Sequence, residues 1–148
     1  MNKEFTRVRT NIDLIVSILM TAAGITLVLL PTPDSVNIAG CLMILTGIIL
    51  SVFLRTGHKD TETGETYSKK ILYFPQSCKS RILSGLEHDV KNLDLSEQDK
   101  GNGLKMDVYF NKKSNKAFIQ MFEYIPYRYE PASGTFGFRA DEISKLVG

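Results

Sequence analysis

Cysteine and histidine are scarce in this chain, and their positions argue against disulfide and metal chemistry. Among 148 residues there are two cysteines and two histidines. Cys41 lies within an apolar run and Cys78 in the more polar remainder, so no disulfide between them is expected. The histidines are thirty residues apart, which is not a metal-ligand spacing. No phosphate-binding loop or dinucleotide fingerprint occurs either, and we expect no cofactor and no metal.

Charge of one sign is not in large excess. The formal net charge is +2, and no internal repeat or low-complexity tract concentrates it. A protein that coats duplex nucleic acid needs a basic face or stripe, because its affinity comes from neutralising phosphates. We therefore expect no duplex nucleic acid partner.

The chain does contain two long apolar runs. Residues 12–30 and 36–54 are almost wholly apolar, and only the short stretch 31–35 separates them. A helix of 19 residues is about 28 Å long, close to the hydrocarbon thickness of a bilayer. The single ionisable residue in either run is Asp13, at the edge of the first. The pattern predicts a transmembrane helical hairpin over 12–54.

The distribution of basic residues predicts the orientation of this hairpin. Lys3, Arg7 and Arg9 precede the first run within the basic N-terminus, Arg55 and Lys59 follow the second, and the turn carries only acidic charge. By the positive-inside rule we expect both termini to be cytoplasmic. We expect the chain to be a multi-pass protein of the bacterial inner membrane. The alternative is that the first run is a cleaved signal peptide, but the apolar cores of signal peptides are usually shorter, about 7–15 residues.

Small residues recur at helical spacing in both runs and predict how the helices pack. They are Ser17, Thr21 and Gly24 in the first run, and Gly40, Gly47 and Ser51 in the second. Helices in lipid associate where such residues allow close backbone approach. The stripes either pack the two helices of one hairpin together or face other subunits around a pore. Neither run has a titratable side chain near its middle, which argues against a transporter or a proton relay.

The rest of the chain predicts a small α+β domain after a linker. Residues 55–68 have no apolar periodicity, which is typical of a flexible linker. Periodicity in 69–148 predicts a strand, a helix, a β-hairpin and a terminal helix. The predicted bounds are 71–74 for the first strand, 78–93 for the helix, 104–111 and 116–124 for the hairpin, and 139–147 for the terminal helix. Prolines and glycines between the last two elements predict an extended segment and a loop.

Ser84, His88 and Asp89 are the best candidates for a catalytic group, and they are poor ones. His88 follows Ser84 by four residues, so both lie on one face of the predicted helix, but Asp89 is adjacent to His88 and points elsewhere. No oxyanion site accompanies them, and a solvated helix face explains all three residues. We therefore do not expect an enzyme.

Two groups of residues are candidate ligand contacts. Lys79, Ser80 and Arg81 fall in the first turn of the predicted helix, where free backbone N–H groups favour an anion. The second group is Tyr124, Tyr127, Arg128 and Tyr129, which offer rings and a guanidinium within a few residues and suit stacking on a nucleobase beside a phosphate. The alternatives are ordinary surface cations for the first group, and packing at a strand edge or a subunit contact for the second.

In its organisation the chain resembles the small ancillary membrane effectors of type III CRISPR systems, which respond to cyclic tetra-adenylate. The shared features are the size, two N-terminal spans with a minimal outer turn, and a small domain after them; no residue motif carries over. The resemblance implies a homo-oligomer in the lipid bilayer that binds the cyclic nucleotide in antiphage defence and then disturbs the membrane. The alternative is a non-enzymatic structural or assembly subunit of a bacterial envelope complex that docks a protein partner.

Overall fold

The computed structural model describes residues 3–31, 33–101 and 103–147, and in it the chain forms two compact units. One unit is the helical hairpin Arg7–Gly57. The other, the sheet domain, joins the described residues before the hairpin to those after it. Position 32 of the predicted turn and residues 1 and 2 of the basic N-terminus lie outside the described residues.

Two long apolar helices form the hairpin, as the sequence predicts. Helix α1 is Asn11–Leu29 and helix α2 is Asp34–Phe53. A capping box begins α1: the Asp13 amide donates to the Thr10 hydroxyl, and the Thr10 amide donates to the Asp13 carboxylate. Both helices are long and apolar enough to cross a membrane by length and composition.

The two helices approach each other closely along the stripe of small residues. A methyl group added at Gly24 would lie 2.7 Å from the Gly40 carbonyl oxygen, and one added at Gly40 would lie 2.9 Å from the Gly24 carbonyl oxygen. At Gly47 an added carbon would meet the Thr21 side chain and lie 2.9 Å from the Thr21 amide nitrogen. Residue 24 thus opposes 40, and 21 opposes 47, so the helices run antiparallel. Only glycine fits where two backbones come this near.

The stripe and the other side chains of the hairpin differ in exposure. Ser17 is buried together with the three glycines, and Thr21 and Ser51 are half-buried. Most of the isoleucine, leucine and valine side chains are exposed instead, up to 78% for Leu29. Exposing so much apolar surface to water is unfavourable, whereas lipid would cover it without cost.

The second unit is built on a six-stranded antiparallel sheet whose strand order follows the chain. The strands are β1 Phe5–Val8, β2 Gly57–Asp60, β3 Thr66–Phe74, β4 Leu104–Asn111, β5 Lys116–Ile125 and β6 Arg128–Phe138. Residues 7, 8 and 57, at the ends of β1 and β2, belong to the hairpin unit. The three predicted strands correspond to β3, β4 and β5, and β3 begins five residues earlier than predicted. The predicted order of strand, helix, β-hairpin and helix is incomplete, because it lacks β1, β2 and β6.

The predicted linker over 55–68 is wrong, since most of it forms β2, a tight turn and the start of β3. Polar side chains build the turn. The Asp60 carboxylate accepts hydrogen bonds from the Glu62 amide and the Thr63 hydroxyl, and the Gly64 amide donates to the Asp60 carbonyl oxygen. Gly64 has a φ of 72°, which glycine adopts without strain. The polar composition therefore belongs to a β-hairpin and not to a flexible segment.

The helices of this unit are shorter than predicted, and the expected loop is a strand. Helix α3 is Lys79–His88, followed by a 3₁₀ turn at Val90–Asn92, where the sequence predicts a single helix over 78–93. Helix α4 is Ser144–Val147, the last turn of the predicted 139–147. β6 includes Pro131, which is tolerated because β6 is an edge strand with one unpaired side.

The core lies between one face of the sheet and the helical segments. The alternation predicted for β4 is confirmed: Leu104, Met106 and Val108 are fully buried. The other buried members of the cluster are Leu72, Phe74, Cys78, Ile82, Leu86, Leu93, Ala117, Ile119, Met121, Ile143 and Leu146. Removing these side chains from water provides the main stabilisation of the unit.

The sheet is curled, so that its first and last strands approach each other. Six flat strands would hold β1 and β6 about 24 Å apart. Lys3, just before β1, nevertheless donates a backbone hydrogen bond of 3.3 Å to the Thr135 hydroxyl in β6. Its ammonium also lies 2.6 Å from the buried Asp60 carboxylate in β2. Burial alone raises the pKa of Asp60, but the Lys3 contact and two further hydrogen bonds outweigh burial and lower that pKa overall.

Candidate ligand-binding face

The sheet face opposite the core carries rings and charges in ordered rows. Side chains alternate along each strand, so residues between the core positions share this face. Strand register aligns them in three rows across β3, β4 and β5, namely Lys69, Tyr109 and Phe118; Ile71, Asp107 and Gln120; and Tyr73, Lys105 and Phe122.

The third row and two tyrosines near the β5–β6 turn form a cluster that we name the aromatic-lysine face: Tyr73, Lys105, Phe122, Tyr124 and Tyr129. The Lys105 ammonium lies 4.3 Å from the centre of the Phe122 ring and 5.2 Å from that of Tyr129. Tyr124 meets Tyr129 edge to face at 5.2 Å, and Tyr73 lies 6.4 Å from Tyr129. All five side chains are half-buried. The rings and the ammonium therefore keep part of their surface accessible.

One carboxylate serves two ammonium groups in this region. Asp107 is 3% exposed, and its Oδ2 lies 2.6 Å from the Lys69 ammonium and 3.4 Å from the Lys105 ammonium. Its Oδ1 has no hydrogen-bond partner among the described residues. Burial lowers the pKa of Lys69, but the contacts with Asp107 and Tyr109 together outweigh burial and raise that pKa overall. The two lysines and Asp107 together carry a net positive charge.

The first row is covered by Phe5 of β1. The Phe5 ring stacks on Tyr109 at 3.9 Å and meets Tyr67 edge to face at 5.7 Å. The Lys3 ammonium lies 4.6 Å from the centre of the Phe118 ring. Aromatic pairs of this kind contribute about 0.5–1.5 kcal/mol each beyond their buried area. The first row is therefore a packed part of the domain, which leaves the third row as the candidate for ligand contact.

At the start of α3, the charged side chains predicted to bind an anion form ion pairs with carboxylates of the protein. The Lys79 ammonium pairs with Glu123 on β5, and this contact lowers the pKa of Glu123. Arg81 pairs with two carboxylates, at 3.2 and 3.3 Å. Ser80 is exposed. A phosphate at this helix end would have to displace these carboxylates first.

The predicted nucleobase platform is divided. Tyr129 belongs to the aromatic-lysine face, but Tyr127 occupies the tip of the β5–β6 turn and is 96% exposed. Arg128 pairs with the nearby Glu130. A ring as exposed as that of Tyr127 contacts little of the domain, so the predicted residues do not form one surface. Tyr127 also has a φ of 76°, a left-handed conformation that is strained for a residue with a large side chain.

The helix residues considered for catalysis are arranged as an ordinary surface. The His88 ring nitrogen Nδ1 lies 3.1 Å from the backbone carbonyl oxygen of Ser84, and this contact does not involve the Ser84 hydroxyl. Ser84, His88 and Asp89 are all exposed. A solvated helix face accounts for them.

Sequence patterns could not identify Tyr73, Lys105 and Phe122 as neighbours. The alternation in β4 places Lys105 opposite the core, but it does not say which side chains stand beside it. Their meeting depends on the register between three strands, which contacts between distant residues determine. The available signal was limited to the aromatic residues that fall in predicted strands.

No family model, curated protein or solved structure matches the chain. Its function is therefore inferred from two features with defined geometry, the apolar helical hairpin and the aromatic-lysine face.

Proposed function

We propose that this protein is a membrane-anchored cytosolic sensor that binds an anionic nucleotide of the cyclic oligonucleotide type and alters membrane integrity through its hairpin. In this proposal it acts as a homo-oligomer in antiphage defence, as the resemblance to CRISPR membrane effectors implies. The observation that carries the proposal is the aromatic-lysine face, where half-buried rings surround an ammonium that shares its carboxylate with a second lysine.

A nucleotide matches this face chemically. Its base offers a flat π surface, and stacking on an aromatic side chain contributes about 1–3 kcal/mol per base. Its phosphate can approach the Lys105 ammonium, whose charge Asp107 compensates only in part. A neutral or cationic ligand would make no use of that excess positive charge.

The connections between the two units are short, which suits a sensor. Two residues separate the end of β1 from the start of α1, and three separate the end of α2 from the start of β2. Within the hairpin unit, the Asp13 carboxylate accepts hydrogen bonds from the Thr56 amide at 2.9 Å and from the Thr56 hydroxyl at 2.7 Å. These bonds tie the two connections together. A ligand that shifts β1 or β2 would therefore act on the helices with little slack.

Ligand titration of the purified full-length protein in detergent tests the sensor. A panel of cyclic di-, tri- and tetranucleotides is added, and heat or tyrosine fluorescence is measured. Lys105→Ala is expected to weaken binding roughly 10- to 100-fold, the effect of losing one charge-assisted contact. Lys113→Ala is the matched control, because Lys113 is an exposed lysine in a turn. No detectable binding to any nucleotide, or equal weakening by both variants, would contradict the proposal.

The same titration separates the face from the site predicted at α3. Lys79→Glu reverses a charge that Glu123 already neutralises, and we expect it to change affinity by about twofold or less. If Lys79→Glu abolishes binding and Lys105→Ala does not, the nucleotide binds at α3 instead.

Dye release from vesicles tests the proposed effect on membrane integrity. The full chain is reconstituted into dye-loaded vesicles, and dye release is followed after the bound nucleotide is added. Release that depends on nucleotide and is lost in Lys105→Ala is expected. Vesicles that stay intact at saturating nucleotide would reject the effector role while leaving the binding result standing.

One observation favours the second candidate function, docking of a protein partner in an envelope complex. Tyr127 is exposed and strained at a hairpin tip, and tyrosines are enriched among the residues that dominate protein interfaces. Affinity purification from native membranes tests it, with Tyr127→Gly as the variant because glycine keeps the turn and removes the ring. A stoichiometric partner lost in the variant would support docking, and recovery of self-assemblies alone would count against it.

A further inference from the structure

A cavity of about 450 Å³ lies at the C-terminal end of α2, within the hairpin unit. Its lining consists of Arg7, Val52, Phe53 and Arg55. The lining includes two arginines, each with a guanidinium group, and two apolar residues, Val52 and Phe53, which are 58% and 76% exposed. The cavity therefore combines strong cationic donors with an exposed apolar edge.

The two arginines of this cavity are uncompensated. Neither forms an ion pair with a carboxylate in the described parts of the chain. In the sheet domain, by contrast, Arg81, Arg128 and Arg139 each pair with at least one carboxylate. A guanidinium presents its donors in a planar fork that matches the oxygens of a phosphate. Two unpaired guanidiniums at one cavity are thus suited to a phosphate group.

We infer that Arg7 and Arg55 bind the phosphate of an anionic membrane lipid, while Val52 and Phe53 contact the upper part of its acyl chains. This inference rests on the proposed insertion of the hairpin in a membrane. A spanning helix ends near the lipid phosphates, and α2 ends at Phe53, two residues before Arg55. The apolar edge distinguishes a lipid from free phosphate, which would gain nothing from Val52 and Phe53.

Lipid selectivity of the reconstituted full-length protein tests the inference. Spin-labelled phosphatidylglycerol and phosphatidylcholine are compared in the same vesicles, and the immobilised fraction of each lipid is measured. The unaltered protein should immobilise phosphatidylglycerol preferentially. Removing each arginine should lower the preference about fivefold, because one arginine near an anionic surface contributes about 1 kcal/mol. The double variant Arg7→Gln with Arg55→Gln should therefore lose most of it.

The control removes the same charge elsewhere, in Lys112→Gln with Lys113→Gln, two exposed residues of the β4–β5 turn. Retention of the preference in this control supports the cavity as the site. Equal immobilisation of both lipids by the unaltered protein, or equal loss in both double variants, overturns it. Displacement of phosphatidylglycerol by millimolar inorganic phosphate would overturn the lipid as ligand. Extraction of the protein from vesicles by alkaline carbonate would instead refute membrane insertion, so the two failures are distinguishable.

Discussion

The helical hairpin and the sheet domain use apolar residues in opposite ways. In the hairpin, glycine and serine lie at the helix contact and the large apolar side chains are exposed. In the sheet domain, large apolar side chains fill the core, and ion pairs lie outside it. The difference shows which surroundings each unit suits. Water drives the burial of large side chains, whereas helices in lipid gain most from close backbone contact.

The chain contains natural probes that report on the two units separately. It has no tryptophan, and its six tyrosines, at positions 67, 73, 109, 124, 127 and 129, all belong to the sheet domain. Most of its helical residues belong to α1 and α2. Near-ultraviolet signals of tyrosine therefore follow the sheet domain, and the helical circular dichroism signal mainly follows the hairpin.

The largest expected effect is in the core of the sheet domain. Phe74 is fully buried, and Phe74→Ala should lower the free energy of unfolding by about 3–5 kcal/mol, because it leaves a cavity. The tyrosine transition should move to lower denaturant concentration while the helical signal of the hairpin persists. Ile71→Ala is the control at an exposed position of the same strand. If the helical signal is lost together with the tyrosine signal, the two units do not unfold independently.

A smaller effect is expected in the other unit, at the contact between α1 and α2. In Gly40→Ile the added Cβ would lie 2.9 Å from the Gly24 carbonyl oxygen of the facing helix. Overpacking of this kind costs about 1–3 kcal/mol. Ala39→Ile, at the neighbouring exposed position, is the control. Proximity of labels on α1 and α2 in detergent should fall in the first variant only, with the tyrosine signal unchanged. Equal behaviour of both variants would mean that the stripe does not hold the helices together.

Acidification should lower the stability of the sheet domain through Asp60, which gives a further way to distinguish the two units. The pKa of Asp60 is lowered from its ordinary value of 3.8, so its ionised form stabilises the folded state above that pH. This stabilisation is lost as the pH falls below 3.8 and through the lowered folded-state value. Asp60→Asn should cost about 2 kcal/mol near neutral pH and flatten this part of the acid profile of the tyrosine transition. The control is Glu62→Gln, because Glu62 is the exposed partner of Lys3, and this variant should keep the acid profile of the unaltered protein. If Asp60→Asn also keeps that profile, Asp60 is not its source.

The smallest effect concerns the start of the hairpin. Thr10→Ala removes the side-chain acceptor that caps α1 and should cost about 1 kcal/mol, visible in the helical signal. Thr26→Ala is the control, because its hydroxyl bonds a carbonyl within the helix and caps nothing. An unchanged transition in Thr10→Ala would show that packing against α2, and not capping, determines where α1 begins.

Local patterns of the sequence were sufficient for part of the fold. Both long helices and the alternation of Leu104, Met106 and Val108 were predictable, since each depends on the period of one element. The β2–β3 hairpin was not, because Asp60 and Thr63 build its turn with polar groups that also characterise linkers. β6 was missed for a related reason: Pro131 argues against a strand, and only its place at the sheet edge makes it acceptable.

The candidate site was less predictable than the fold. Lys79 and Arg81 are near each other in sequence, but the carboxylates that neutralise them come from other segments. Lys105 is brought to Tyr73 and Phe122 only by strand register. A site assembled across strands leaves no spacing in the sequence by which it can be found.

The matching order of strands and chain has a consequence for biosynthesis. A ribosome releases β1 first, then both helices, and only afterwards β2, the neighbour of β1 in the sheet. Until the finished hairpin turns back on itself, β1 has no strand to pair with and Phe5 cannot reach Tyr109. We therefore expect β1 to join the sheet only after both helices have been synthesised, so the sheet is the last part of the fold to be completed.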